Sequence, residues 1–109
     1  MGARNQGHES ATIANGATSS GAIPNAGWAI ASVVTPSAFT GTAISFTVSD
    51  GQNGTFSALY DKTGTLVSVP TAASRATDLP AELMPHPWMK IVSNAAEGAA
   101  RTLTLRFKT

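Results

Sequence analysis

The residues best suited to chemistry in this sequence lie beside two neighbouring turns: Asp50, Asn53 and Asp61. Their side-chain oxygens could converge on Ca²⁺, which takes about six to eight oxygen ligands, usually with several carboxylates close in sequence. The segment "DGQNG" (50–54) offers a single carboxylate, and Asp and Asn are also common turn formers. We therefore expect ordinary turns here, with no bound metal and no other cofactor.

Residues suited to metal ligation or acid–base catalysis elsewhere are isolated. His8 and His86 have no second histidine at ligand spacing, and the chain has no cysteine. Asp78 and Glu82 flank Pro80, but no apolar pocket is indicated that would separate their pKa values into acid and base roles. No serine lies in a G-x-S-x-G context, and the glycine-rich phosphate-binding patterns are missing. The sequence therefore predicts a protein without catalytic activity.

Alternating polar and apolar residues predict β-strands along most of the chain. The alternation is clearest in "TAISFTVS" (42–49) and "RTLTLRFK" (101–108), and "WMKIVS" (88–93) is a further strand candidate. Period two is typical of a half-buried strand in an antiparallel sheet. Turn-forming residues separate about seven or eight such segments, a pattern that predicts an all-β fold, an antiparallel β-sandwich or a barrel, of which we expect the sandwich. The proline-rich "PAELMPHP" (80–87) leaves room for one helical turn at most.

The composition of this 109-residue chain predicts one domain preceded by an arm. Residues 1–25 have few large apolar side chains and are rich in small and polar residues, with one candidate strand around Ile13. We expect residues 1–25 to form a flexible or extended N-terminal arm. Residues 26–109 are then the single sandwich domain.

The charge and hydropathy of the chain argue against several classes of partner. Only 12% of the residues are charged and the formal net charge is +1, which gives no reason to expect nucleic acid or an anionic membrane as the partner. No apolar run reaches the roughly 18 residues of a membrane span, and the first ten residues lack the apolar stretch of a secretory signal. We therefore expect a soluble protein, made in the cytoplasm, that packs against other chains.

A protein interface is the function that remains, and "LMPHPWMK" (83–90) is the segment best suited to it. Trp and Met are enriched at interfaces, and proline lowers the entropy cost of ordering a contact loop. The alternative is that Trp88 packs in the core, as we expect for Trp28. The candidate interface residues of this segment are Met84, His86, Trp88 and Met89.

Two arginines are further interface candidates. Arg75 and Arg101 lie among small residues, in "ASRAT" and "AARTL". A guanidinium group can bind a carboxylate of a neighbouring chain through two hydrogen bonds. An exposed arginine on a sheet face or edge is an equally good interpretation of each.

Segments covering residues 11–108 resemble a group of small structural proteins of tailed bacteriophages that decorate or cement the capsid. The resemblance lies in "ATIANGATSSGAI" (11–23), "PSAFTGTAISFTVSDGQNGTFSALYDKTGTLVSV" (36–69), "AASRATDL" (72–79) and "WMKIVSNAAEGAARTLTLRFK" (88–108). It implies a jelly-roll-like β-sandwich with no catalytic residues and no cofactor. It also implies a symmetric oligomer, commonly a homotrimer and in some cases a dimer, bound to the major capsid protein on the outer capsid surface of the virion.

Related sandwiches also occur in tail and adaptor parts of such phages. The alternative function is therefore a tail or host-binding module that recognises carbohydrate. Such a module would need an exposed aromatic platform, for which Trp88 is the best candidate in this sequence.

Overall fold

The structure, a computed structural model, describes residues 6–25, 30–83 and 85–108. Within these residues the secondary structure consists of short strands and a single 3₁₀ turn, so no described helix is long and apolar enough to cross a membrane. The elements in chain order are β1 (Gln6–Ile13), β2 (Ile23–Pro24), β3 (Ile30–Val34), β4 (Ala43–Ser49), β5 (Ser57–Ala58), β6 (Ser68–Pro70), β7 (Ala76–Asp78), the 3₁₀ turn (Ala81–Leu83), β8 (Trp88–Ser93) and β9 (Arg101–Lys108).

The strands form two antiparallel sheets that pack as a sandwich. The first, which we call the β9 sheet, has the order β1-β9-β3-β7. The second, the β4 sheet, has the order β2-β8-β4, and both β5 and β6 pair with the remaining edge of β4. The expected all-β sandwich is confirmed. The described residues form nine strands, slightly more than the seven or eight expected. Four of them, β2, β5, β6 and β7, are only two or three residues long.

The core lies between the two sheets and follows the alternation of the longest strands. On β4, Ile44 and Phe46 are each 1% exposed, and on β9 the inward residues are equally covered. Burying a side chain of this size stabilises the fold by about 1.5–3 kcal/mol. The most deeply buried apolar residues are Ile13, Ile23, Val33, Ile44, Phe46, Leu83, Met89, Ile91, Leu103, Leu105 and Phe107.

The described part of the expected N-terminal arm, residues 6–25, is built into both sheets. β1 pairs with β9 along its whole length, and β2 pairs with β8. Ala11 and Ile13 are buried in the core. Farther along, the Ser20 N–H donates to the Ile91 carbonyl (2.8 Å) and the Ser20 hydroxyl accepts from the Ile91 N–H (2.9 Å). The small side chains that suggested an arm thus belong to strands and bridges of the sandwich.

β5 and β6 lie in line along one edge of β4, and the chain between them leaves the sheet. Ala58 lies opposite Thr47, and Ser68 lies opposite Ser45. Two residues along β4 therefore correspond to ten along the neighbouring edge, which is eight more than a continuous strand needs. Seven of the extra residues form a small hairpin, which we call the 60–66 loop and in which Tyr60 pairs with Leu66.

Candidate interaction face

The outer face of the β9 sheet is polar. Along β9, outward residues alternate with the buried Leu103, Leu105 and Phe107. The hydroxyl groups of the cross-strand neighbours Thr12 and Thr102 are 3.2 Å apart and hydrogen-bonded. The outward positions of this sheet are mostly polar: His8, Ser10, Thr12, Ser32, Thr102, Thr104 and Arg106. Such a face suits contact with water.

The outer face of the β4 sheet is aromatic by contrast. Trp88 and Lys90 alternate along β8 with the fully buried Met89 and Ile91, so they lie on the face away from the core, where both are half-buried. The Lys90 Nζ lies 4.5 Å from the centre of the Phe56 ring, a cation–π distance. This places Phe56 on the same side. We call this surface the aromatic face.

The aromatic face also holds an unpaired hydroxyl. Thr47 lies opposite Lys90 on β4, on the outward side, because its neighbour Phe46 faces the core. The Thr47 Oγ1 atom is buried, yet it has no hydrogen-bond partner among the described residues. A buried polar atom without a partner costs about 1–3 kcal/mol.

The 60–66 loop continues the aromatic face at the sheet edge. Leu59 and Val67, which flank the loop, are buried, so Tyr60 and Leu66 lie on the opposite, outward side. Tyr60 is 57% exposed and Leu66 42%, and they are the exposed large apolar side chains of the described residues. Sequence reasoning missed both, because a tyrosine and a leucine on either side of a turn also fit an ordinary hairpin.

Asp61 holds the 60–66 loop in one shape. Its Oδ1 atom accepts hydrogen bonds from the Thr63 hydroxyl (2.6 Å) and from the N–H groups of Thr63 (2.9 Å) and Thr65 (3.0 Å). The bond from the Thr63 hydroxyl, followed by that from Thr65, holds the pKa of the Asp61 carboxyl below its usual value. Gly64 has a φ of 85°, a left-handed conformation that glycine adopts without strain.

The carboxylate of Asp61 is therefore occupied within its own turn. Asp50 and Asn53 are exposed and lie in the turns that follow β4. Among the described residues, no group of three His, Cys, Asp or Glu side chains is arranged to hold a metal ion. The hydrogen bonds of the Asp61 carboxylate thus support the interpretation of this residue as a turn former.

Of the expected interface residues, Met89 lies inside the protein and Arg101 is partly buried by an ion pair. Met89 is fully buried in the core, because it shares the inward face of β8 with Ile91. Arg101 was expected to face solvent or pair with a neighbouring chain, but its Nε donates to Glu97 Oε1 at 3.1 Å and its side chain is only 18% exposed. Met84 lies outside the described residues, as does Trp28.

The remaining candidates lie in different parts of the fold. Arg75 is exposed beside β7, an edge strand of the β9 sheet, and its backbone pairs with Thr35. His86 is half-buried in the loop that leads into Trp88. His86 and Trp88 therefore both lie at the β4 sheet, whereas Arg75 lies at the edge of the β9 sheet.

The buried Glu97 and the partly buried Arg101 form an ion pair, and Glu97 also connects several loops. Besides Arg101, Glu97 Oε1 accepts from the Thr40 N–H at 2.9 Å, and Oε2 accepts from the Ser93 hydroxyl at 3.3 Å. Glu97 is 1% exposed. Its backbone also bonds the loop after β1, since the Gly16 N–H donates to the Glu97 carbonyl at 2.7 Å. This cluster is structural, and it is centred on the buried Glu97 carboxylate.

Asn25 fixes the loop that leads into Trp88. It is fully buried, and its Nδ2 donates to the carbonyl oxygens of Leu83 (2.7 Å) and His86 (3.2 Å). Its N–H donates to the Pro87 carbonyl at 2.8 Å. Asn25 thus donates to three carbonyl groups of residues 83–87, a segment in which the two prolines have no N–H group of their own.

We expect Asn25→Ala to lower the free energy of unfolding by about 2 kcal/mol, because two carbonyl groups lose their donor. Asn94→Ala is the matched control. Asn94 bonds Thr42 through both ends of its amide, but at an exposed site, where water replaces the lost partners. Urea denaturation compares the two variants, and equal losses would contradict this account of Asn25.

Comparison with known proteins gives a likeness in fold. No protein-family model and no curated protein matches the chain. Among solved structures, the chain is similar to that described as "Crystal structure of SPBc2 prophage-derived protein YomS", with a TM-score of 0.57 and 18% sequence identity. The match covers 96% of each chain, so the two proteins share the β-sandwich fold along nearly their whole length.

Proposed function

We propose that this chain is a structural protein of a tailed-bacteriophage virion, of the capsid decoration or cement type. It binds the major capsid protein on the outer capsid surface, stabilises that lattice, and associates with further copies of itself as a homotrimer or dimer. It is made in the cytoplasm of the bacterial host. The proposal includes no catalytic step, no cofactor and no contact with nucleic acid or membrane.

The observation that carries the proposal is the contrast between the two outer faces. The aromatic face presents Trp88, Phe56 and Tyr60, whereas the described aromatic residues elsewhere, Phe39, Phe46 and Phe107, are buried in the core. Aromatic side chains outside a core are typical of protein interfaces, and a sandwich with one polar and one aromatic face fits a protein that lies on a larger surface.

A capsid lattice suits a face of this size. The exposed apolar groups are few, so a single copy gains modest binding energy from them. A shell repeats the same contact many times, and linked copies that engage several sites gain avidity without a tight individual contact. The low charge of the chain, 12% of residues, also reduces repulsion between neighbouring copies.

The resemblance to phage decoration proteins and the shared fold with a prophage-derived protein support a phage source. The first rests on sequence segments and the second on the arrangement of strands. Neither depends on the aromatic face.

Particles assembled without this chain provide the test of the proposal. Purified wild-type protein is added back, and binding is measured by cosedimentation together with the temperature at which the shell opens. We expect saturable binding and a higher opening temperature. Trp88→Ser should weaken binding by about 10-fold or more, as loss of an interface tryptophan does. Arg106→Ser, on the polar face, should bind as the wild type does, and failure of the wild type to bind would refute the proposal.

A carbohydrate-binding tail module is the second candidate, favoured by one observation: Trp88 lies half-buried on the outer face of the β4 sheet. Flat aromatic rings on such faces can stack against sugars. Glycan-array binding that disappears with Trp88→Ala, in a protein that does not bind particles, would support this function over the first. Absence of glycan binding would remove it.

A further inference from the structure

We propose that the 60–66 loop is a preformed contact element whose Tyr60 and Leu66 side chains insert together into an apolar recess, bordered by carboxylates, on a partner protein. This inference rests on the proposed function, because the partner it names is the subunit of the shell. It goes further by assigning the contact to one loop and by stating the chemistry of the surface that receives it.

The loop adds little to the fold that carries it. The strand pairs on either side show that eight residues are extra to a continuous edge strand. Within the loop, Asp61 is half-buried and the other residues are exposed, while the flanking Leu59 and Val67 supply the contacts to the core. An insertion that displays apolar side chains and leaves the core unchanged fits a binding element.

The loop is held in shape before any partner binds. Three hydrogen bonds to the Asp61 carboxylate close the turn. The backbone adds the bonds from Asp61 N–H to the Thr65 carbonyl (2.9 Å) and from Gly64 N–H to the Asp61 carbonyl (3.0 Å). A loop that is already ordered loses little entropy on binding, so more of the contact energy appears as affinity.

The charges around the two apolar side chains indicate an acidic partner. Lys62 is exposed in the loop, and Lys90 lies beside Phe56 on the aromatic face. Neither lysine has a carboxylate partner among the described residues. The Asp61 carboxylate keeps its charge, but its Oδ1 atom is occupied by three hydrogen bonds within the turn, so the two lysines are the charged groups of this surface that are free to pair with carboxylates. Carboxylates at the rim of the recess would complement them.

Two other occupants fit the loop less well. Two side chains cover much less than the roughly 800 Å² that each partner contributes to a standard protein interface, so this contact alone would not hold two copies of the chain together. Lipid recognition by charge takes clusters of about four to eight Lys or Arg residues, and the loop contains one. A shell built from many copies of one subunit, each with the same recess, is the partner that fits the loop.

The test uses two variants of the full chain and particles assembled without it. The first removes residues 60–67, the loop together with the buried Val67, and joins Leu59 to Ser68 in the register that β5 and β6 already have. The second, Tyr60→Ser with Leu66→Ser, keeps the loop and its Asp61 bonds. Circular dichroism and thermal denaturation establish that each variant is folded. The control is Val34→Ser, an apolar residue on the outer face of the β9 sheet.

We expect both loop variants to bind the particles at least about 30-fold more weakly than the wild type, and the control to bind as the wild type does. Wild-type binding by the double-serine variant would overturn this inference and leave the proposed function standing. Failure of the wild type itself to bind particles would remove both. Binding of the wild type to anionic lipid vesicles, abolished in the loop variants, would overturn the inference in favour of a lipid surface.

Discussion

Glu97→Ala is expected to lower the free energy of unfolding by about 3–5 kcal/mol, the range for breaking a buried ion pair by removing one partner. The carboxylate is 1% exposed and accepts hydrogen bonds from the Arg101 side chain, the Thr40 N–H and the Ser93 hydroxyl. Alanine leaves the buried Ser93 hydroxyl and the partly buried Thr40 N–H and Arg101 guanidinium without their shared acceptor. Glu82→Ala, which removes an exposed carboxylate, is the control and should change the free energy by less than about 0.5 kcal/mol.

Urea denaturation at neutral pH measures both variants. If Glu97→Ala and Glu82→Ala had the same midpoint, the account of Glu97 as the tie between loops would be wrong. Arg101→Ala should be as harmful as Glu97→Ala, because it leaves a carboxylate buried without its cation.

The same cluster predicts how stability depends on pH. Burial raises the pKa of the Glu97 carboxyl, but the Thr40 N–H, Arg101 and Ser93 together outweigh it and hold the pKa below the usual 4.5. The folded state therefore favours the charged carboxylate. Its contribution is fully present above pH 4.5 and is lost as pH falls through the lower pKa of the folded protein. Glu97→Gln should flatten this acid limb, and unchanged pH dependence in the variant would contradict the assignment.

Phe46→Ala should have an effect of similar size, about 3–5 kcal/mol, while a change at the next residue should have almost none. Phe46 is 1% exposed and lies opposite Ile91 in the core. Its removal leaves a cavity that the two sheets can close only in part. Thr47, one residue on, points to the aromatic face with a buried hydroxyl that has no partner among the described residues.

Thr47→Val keeps the shape of the side chain and removes that hydroxyl, so we expect no loss of stability or a gain of up to about 1 kcal/mol. Chemical denaturation of the two single variants compares opposite faces of one strand. A loss at Thr47→Val as large as that at Phe46→Ala would mean that the faces of β4 are assigned wrongly.

The strands of the fold were largely predictable, since alternation is a local property of the sequence. The patterns in "TAISFTVS", "WMKIVS" and "RTLTLRFK" correspond to β4, β8 and β9, and the single turn expected in "PAELMPHP" is the 3₁₀ turn Ala81–Leu83. β1 was harder to predict because its inward positions include small residues such as Gly7 and Ala11. Such positions give little hydrophobic signal even when they are paired and covered.

The candidate site was less predictable, because a strand pattern does not say which of its two faces meets the core. In β8, Trp88 and Met89 point to opposite sides, and either could have been buried. The structure buries Met89, which pairs with Val48 and Ile23 on the inner side. Arg101 found its partner in Glu97, four residues away in a loop whose shape the sequence does not reveal.

The exposure of Tyr60 and Leu66 depends on contacts that are distant in sequence. Their position follows from β5 and β6 both pairing with β4, and nothing between residues 57 and 70 encodes that arrangement by itself. The turn residues of the loop, Asp61 and Gly64, were visible as turn formers. Their role in holding Tyr60 and Leu66 toward solvent was not visible in the sequence.

The most direct test of the account is the copy number of this chain in purified virions, measured by quantitative mass spectrometry against the major capsid protein. A decoration protein that covers the shell should be present in a simple ratio to the shell subunit, in hundreds of copies on the order of the lattice itself. A handful of copies would place the chain in the tail or connector and contradict the capsid assignment, and absence from the particle would contradict the virion role as a whole.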